Sequence, residues 1–466
     1  MSIDGEILRL HQSFSKGELS PVEVARAQLD DASSTTNSEV NAFTLVDEAV
    51  ALEMARASEA RYRRGESIGP LDGIPTTIKD TLNVAGWPTR RGSRTTSKAP
   101  ATVDAVSMAR LRSAGAVFLG KTTTPEFAWK GLTQSLLNGQ TLTPLDKSRH
   151  AGGSSGGAAA ATALGIGIIG VGTDAAGSVR IPAAFCGVVG YKATFGAIPL
   201  DPFPAAFWQL PHIGPITRSV ADAALAAAAM SGPAASDWMS LVQTPLSQRL
   251  ERNLTSRTRI GIPNDLNRYL DPAVKRGWEE AVKALGSRAE IKPVELPLDE
   301  ARDIVATFYR LGCAFAVSLV PEDKRSDLDP GILEFIEPVR NLSAEALIGL
   351  QRRREEIASR AAVVLADDVD VLLTPTMPCL PLRADAADAQ EVDWFKWCPF
   401  TPLFNLTRGP AISVPWPAQD RSILPIGLQI GAAPGRDDVA IAAATMIESV
   451  AGQDRALQSR ASSHGN

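Results

Sequence analysis

Histidine is scarce in this sequence, cysteine is scattered and positive charge is in deficit, and each shortage removes a class of chemistry. The 466 residues include four histidines (His11, His150, His212, His464) and four cysteines (Cys186, Cys313, Cys379, Cys398). No CxxC pair, HExxH motif or clustered His/Asp/Glu set occurs, so neither a zinc site nor a disulfide framework is signalled, and no metal or other cofactor is expected. Reduced thiols point to a cytoplasmic protein. Met1-Ser2-Ile3-Asp4-Gly5-Glu6 lacks a basic and then apolar leader pattern, which argues against secretion. A formal net charge of −5 supplies no field to gather polyanions, so nucleic acid and anionic membrane surfaces are not expected partners. The basic runs Arg61-Tyr62-Arg63-Arg64, Arg90-Arg91 and Arg352-Arg353-Arg354 read as solvated helix ends or faces without a binding role.

What is present is an ordinary globular pattern. Ser20-Pro21-Val22-Glu23 is a capping box with proline at the first helical position, which predicts a helix to about Asp31, and Asp47 to Arg63 reads as a second helix ended by Gly65. Gly73–Asp80 and Ala116–Gly120 read as strands around a helix at Val103–Ala114. Further strands are predicted at Arg259–Pro263, Asp370–Pro375, Pro410–Pro415 and Pro425–Ile430, with helices at Ser219–Met230, Pro272–Leu285, Leu298–Val320, Ser343–Ala366 and Asp437–Val450. This alternation predicts an α/β fold: a single large domain over 1–466 with a central mixed, largely parallel β-sheet flanked by helices. Its parts are N-terminal helices at about 20–63, a core at about 70–232, a polar excursion at 232–256 and a C-terminal α/β part at about 257–455. The charge-free run 156–173 is broken by glycines and reads as a buried helix and strand, not a membrane span.

The stretch Gly152–Lys192, rich in Gly and Ala, carries Ser154, Ser155 and Ser178 beside glycine turns. Gly165-Ile166-Gly167-Ile168-Ile169-Gly170 satisfies GxGxxG but follows a helix and lacks the acidic residue about 20 positions on, so a dinucleotide site is disfavoured. Gly152-Gly153-Ser154-Ser155-Gly156 satisfies GxSxG, yet of the histidines only His212 lies downstream within a plausible fold, and no motif surrounds it. Lys79 closes an apolar strand. Such a lysine is either a snorkelling surface residue or a buried functional amine. If buried and neutral, it is a sensible base for a serine hydroxyl.

GIPTTIKD, APATVDAVSMARLRSAGAVFLGKTTTPEF, GGSSGG, GTDAAGSVRIPAAFCGVVGYK, FNLTRGPAISVP and LPIGLQIG follow one another in an order that resembles the amidase signature family over nearly the whole chain. The resemblance implies the amidase signature fold and hydrolysis of carboxamides by a Ser-cisSer-Lys triad through an acyl-enzyme. It implies that Lys79 is the general base, Ser154 the relay in a cis peptide and Ser178 the nucleophile. It further implies an oxyanion hole from backbone N–H groups at Ala175, Ala176, Gly177 and Ser178, support of Lys79 by Ser155, and bracing of the loop by Asp174 and Arg180. Where the family usually has Gly-Gly, this chain has Ala176-Gly177. If that site needs positive φ, alanine costs about 1–2 kcal/mol. Otherwise the methyl narrows the pocket and favours small, unhindered acyl centres.

Three members of the family compete: a free-standing amidohydrolase, the A-type subunit of a tRNA-dependent amidotransferase that releases ammonia from glutamine, and a silent scaffold. The Lys79, Ser154 and Ser178 set disfavours the scaffold. Cys398 stands where the amidotransferase subunits usually carry a glutamine-binding aspartate, and their RRIxLG stretch has no clear match, so the free enzyme is favoured. The partner expected is a small amide, and a homodimer is the one assembly considered. Phe203, Phe207, Trp208, Trp394, Phe395, Trp397 and Phe400 are either packing or the lining of an apolar pocket for aryl or medium alkyl amides.

Overall fold

Short apolar runs bounded by Gly and Pro become strands of one sheet. In a computed structural model, which describes residues 5–201, 207, 209–240, 245–249, 258–418 and 424–463, β1 (Phe43–Val46), β2 (Pro75–Lys79) and β3 (Val117–Thr122) come first. Two small ribbons follow, β4 (Gln134–Ser135) with β5 (Gly139–Gln140) and β6 (Leu142–Thr143) with β7 (Asp146–His150). Then come β8 (Ile169–Asp174), β9 (Val189–Lys192), β10 (His212–Thr217), β11 (Arg259–Pro263), β12 (Glu290–Val294), β13 (Val371–Pro375), β14 (Ala411–Trp416) and β15 (Ile426–Gly431). Eleven of these form a single sheet in the order β1-β3-β2-β8-β10-β9-β14-β15-β13-β11-β12, so both halves of the chain share one core.

The sheet is mixed, with its parallel pairings at two flanks. β3–β2–β8 and β13–β11–β12 pair in parallel. Helices Val106–Ser113 and Pro272–Leu285 supply the crossovers from β2 to β3 and from β11 to β12. The middle of the sheet is antiparallel, from β8 through β10, β9, β14 and β15 to β13. The parallel character read from the alternation therefore belongs to the βαβ flanks. In that centre β10 escaped the sequence reading because it is His-Ile-Gly-Pro-Ile-Thr, and glycine and proline argue against a central strand.

Local chemistry sets the helix ends. At the Pro21–Ala32 helix the Ser20 hydroxyl accepts from the Val22 amide at 3.0 Å and the Ser20 amide donates to Glu23 Oε2 at 2.9 Å, completing the capping box. The next long helix runs Glu48–Arg63 with Asp47 as its N-cap. The run 156–173 divides into helix Gly156–Ala163 and strand β8, with Gly165 and Gly167 at φ 86° and 77° turning the chain between them. No helix among the described residues is long and apolar enough to cross a membrane.

Candidate active site

β2 delivers Lys79 to the level of Thr173, because β2 and β8 run parallel in the register Thr77↔Gly170 and Ile78↔Val171. Gly172, between them, is what lets the loop at 152–156 press onto the strand: a Cβ there would meet Ser155 Oγ at 2.7 Å. The result is a fully buried amine ringed by hydroxyls. Lys79 Nζ lies 2.7 Å from Ser154 Oγ, 3.0 Å from Ser155 Oγ and 2.9 Å from Thr173 Oγ1. Burial drives its pKa well below the ordinary lysine value, and the Asp174 charge opposes this only in part. A neutral amine has two N–H donors and one lone pair, so one of three hydroxyl neighbours must donate to it. Ser155 is already committed, since its hydroxyl donates to the Thr173 carbonyl at 3.2 Å. Ser154 follows a cis Gly153–Ser154 peptide.

Ser178 sits on the loop after β8, buried, its hydroxyl without a hydrogen-bond partner among the described residues. Ser154, Thr173, Asp174, Ala175 and Ser178 form the floor of a cavity of about 260 Å³. The structure thus brings Lys79, Ser154, Ser155 and Ser178 together at one place.

Asp174 and Arg180 hold that floor in shape. Burial pushes the Asp174 carboxyl upward, but the Arg180 charge and hydrogen bonds, with Lys192 and Asn405, hold it below the usual carboxylate range. Arg180 Nε and Nη2 each donate to Asp174 at 2.9 Å, while other guanidinium N–H groups reach the Thr401 carbonyl at 3.0 Å and Asn405 Oδ1 at 2.6 Å. Asp174 also takes the Gly177 amide at 2.8 Å and the Val179 amide at 3.2 Å. The Gly177 N–H is therefore spent, which removes it from the set expected to bind an oxyanion. The amides of Ala175, Ala176 and Ser178 carry no such bond among the described residues.

The Ala176-Gly177 pair resolves in the same way. Gly177 has φ 124°, and a Cβ on it would meet Thr401 Oγ1 at 2.3 Å, so glycine is required there. Ala176 has no positive φ, lies in the main apolar core and does not line the cavity. Its methyl neither strains the loop nor narrows the pocket, which withdraws the argument for small acyl centres. Its carbonyl accepts the Thr401 hydroxyl at 2.6 Å, and Cys398, whose thiol burial raises to about 12, packs behind it.

His212 is brought close but given other work. It is buried, with Nδ1 2.7 Å from the Leu210 carbonyl and Nε2 3.4 Å from Lys192 Nζ, and burial, with the Lys192 charge second, pushes its pKa well below the ordinary histidine value. It does not line the cavity. Of the seven aromatic residues, Phe207 lines the cavity, and Phe203 and Trp208 fall outside the described residues. Trp394 and Phe395 pack behind Tyr309, with ring centroids 5.6 and 5.7 Å from it, and Trp397 packs on Trp394 at 6.1 Å. Phe400 is core packing against Tyr269. Tyr309 itself, a wall residue whose hydroxyl donates to the Ala128 carbonyl and borders Ser178, was missed because it sits mid-helix in Leu298–Ser318 with no motif around it. Among the described residues, no group of three or more His, Cys, Asp or Glu side chains could hold a metal ion.

The mixed sheet thus carries a buried lysine hydrogen-bonded to a serine on the floor of a cavity. The chain belongs to the amidase signature family: the Amidase family model matches residues 23–440. It is similar to an acylamidase of Rhodococcus erythropolis, 35% identical over 460 residues with 94% of each chain covered. It is also similar to the A-type subunit of the glutamyl-tRNA(Gln) amidotransferase of Carboxydothermus hydrogenoformans, 31% identical over 443 residues covering 89% of this chain and 90% of that one. The solved structure of a bacterial aryl acylamidase of the amidase signature family superposes with a TM-score of 0.83 at 27% identity, covering 96% of both chains. The protein is an amide-hydrolysing enzyme.

Proposed function

We propose that this enzyme cleaves a carboxamide C–N bond through an acyl-enzyme on Ser178, as a free-standing amidase. The observation that carries the reading is the buried Lys79 amine, 2.7 Å from the Oγ of Ser154, which shares the cavity floor with the unpartnered Ser178 hydroxyl. Neutral Lys79 takes the Ser154 proton while Ser154 takes that of Ser178. Ser178 Oγ then bonds to the amide carbon, and the carbonyl electrons move to the oxygen, facing the amides of Ala175 and Ser178, which line the cavity. Collapse breaks the C–N bond as the proton returns through Ser154 to the leaving nitrogen. The amine or ammonia departs; water then bonds to the acyl carbon as its proton passes through Ser154 to Lys79, and the Ser178 Oγ–acyl bond breaks as that proton returns to Ser178, releasing the carboxylic acid, which ionises to a carboxylate.

The walls support an apolar body on the substrate. Phe127, Phe207, Pro211, Tyr309 and Leu319 face the cavity, which suits an aryl or medium alkyl amide. Glutamine fits less well. Its ammonium group needs a free acidic partner, and the one carboxylate on the cavity wall among the described residues, Asp174, is consumed by Arg180, Asn405 and two amides. The test is a panel of aryl, alkyl and glutamine amides, with matched esters, on the purified protein alone. Turnover of aryl or alkyl amides that disappears in Ser178→Ala is expected. Activity confined to glutamine, or appearing only with partner subunits, would sink the reading in favour of the amidotransferase role.

A further inference from the structure

Arg90 and Arg91 are neighbours of the same type, and the fold separates them. The Arg90 guanidinium is a staple of its own turn, donating to Thr96 Oγ1 at 3.2 Å and the Ser93 carbonyl at 3.1 Å. Arg91 lines the active-site cavity instead, correcting the reading of this pair as a solvated face. Its backbone is held in the left-handed region at φ 51°, pinned by Arg91 N–H to the Asp80 carbonyl at 2.9 Å and Phe127 N–H to the Arg91 carbonyl at 2.8 Å. A non-glycine residue kept in that region is commonly serving a site. Among the described residues, no hydrogen bond or ion pair reaches its guanidinium. Asp80, the nearby acid, is countered by Lys121 at 3.5 Å and by the Arg90 amide at 3.1 Å.

Thr81 lines the same cavity, is 7% exposed, and its hydroxyl has no partner among the described residues. We propose that Arg91 and Thr81 form an anion-recognising corner of the cavity, and that the preferred substrate is an amide carrying a carboxylate besides its scissile carbonyl. Arginine has five N–H donors and no acceptor, and an unpaired guanidinium in a partly desolvated cavity is matched best by a planar carboxylate. The other cavity-wall charge, Asp174, is cancelled by Arg180, so the cavity carries a net positive charge opposite apolar walls. Burial working against the Arg91 charge, offset only in part by Asp80, fits a group awaiting a partner. The substrate class is thus amphipathic: an alkyl or aryl body against Phe127 and Tyr309, and a carboxylate at Arg91.

This inference rests on the amidase reading above, and the experiment separates the two. Carboxylate-terminated aliphatic amides are compared with methyl-terminated amides of equal length, and N-acyl amino acids with N-acyl alkylamines, so that the carboxylate is placed on the acyl or the amine side. Wild type is expected to favour one carboxylate series by about 10- to 100-fold in kcat/KM, the range of a charged hydrogen-bonded pair. Arg91→Gln should bring that ratio close to unity, Arg91→Lys should keep part of it, and Arg94→Gln, at an exposed neighbour, should not move it. A ratio near unity in wild type, or an equal loss on both members of each pair in Arg91→Gln, overturns the proposal and makes Arg91 a structural companion of Asp80. Independently of turnover, Ser178→Ala protein is titrated with glutarate by calorimetry. Binding that vanishes on adding Arg91→Gln, with no amide hydrolysed by wild type, would uphold the corner and reject the amidase mechanism. Hydrolysis without Arg91-dependent binding or preference would do the reverse.

Discussion

Lys79 and Lys192 end neighbouring parts of one sheet, both fully buried, and burial pushes both amines well below the ordinary lysine pKa. Their surroundings differ in kind. Lys79 meets three hydroxyls, one of them on a serine that lines the cavity. Lys192 donates to the Gly409 carbonyl and lies beside His212, away from the cavity. A low pKa is therefore shared by the proposed base and a lysine that props the structure. What distinguishes them is whether a partner can both give and take a proton next to open space, which hydroxyls do and a carbonyl does not.

That contrast can be broken most forcefully at the chemistry. Ser178→Ala and Lys79→Ala should each lower kcat by about 10⁴-fold or more, while His212→Ala and Lys192→Met leave turnover of the folded protein within roughly tenfold. Single-turnover assays on folded, purified variants decide it, and a dead His212→Ala beside an active Lys79→Ala would put the imidazole back in the triad. Next in size is the brace under Ser178: Asp174→Asn leaves the buried Arg180 charge unpaired and should cost about 3–5 kcal/mol in urea unfolding.

The pH profile sharpens the comparison further. The proposed mechanism needs neutral Lys79, so kcat/KM should fall as pH drops through its depressed pKa and be full above it, with the acid limb lying well below 10.5. Lys192→Met should leave that limb in place. It should cost about 1–3 kcal/mol of stability instead, because the Gly409 carbonyl loses its donor. Smallest of all, Ser20→Ala, far from either lysine, should cost about 1 kcal/mol in thermal unfolding with no change in the pH profile.

Residue types raised Lys79 and the serines as candidates, because strand ends and glycine turns announce themselves locally, while their roles came from the resemblance to the amidase signature family. Lys79 closes an apolar run, and the serines sit beside glycines whose missing side chains allow close approach. The loop proposed to bind the oxyanion was legible only in outline. Four amides were expected from its sequence, but the Asp174 side chain occupies that of Gly177, a contact set by how the loop folds back on the acid. Tyr309 and Arg91 carried no usable signal, one being an aromatic residue in a long helix and the other half of an Arg-Arg pair.

By itself, the sequence determined the capped helices, the βαβ flanks and the candidate nucleophile, relay and base, because each depends on residues close in the chain or on an ordered set of motifs. Only the tertiary structure decided which buried lysine meets hydroxyls, which of two adjacent arginines enters the cavity, and that the centre of the sheet is antiparallel. Those outcomes depend on strand register and on backbone turns such as φ 51° at Arg91, which bring together groups that no local pattern links.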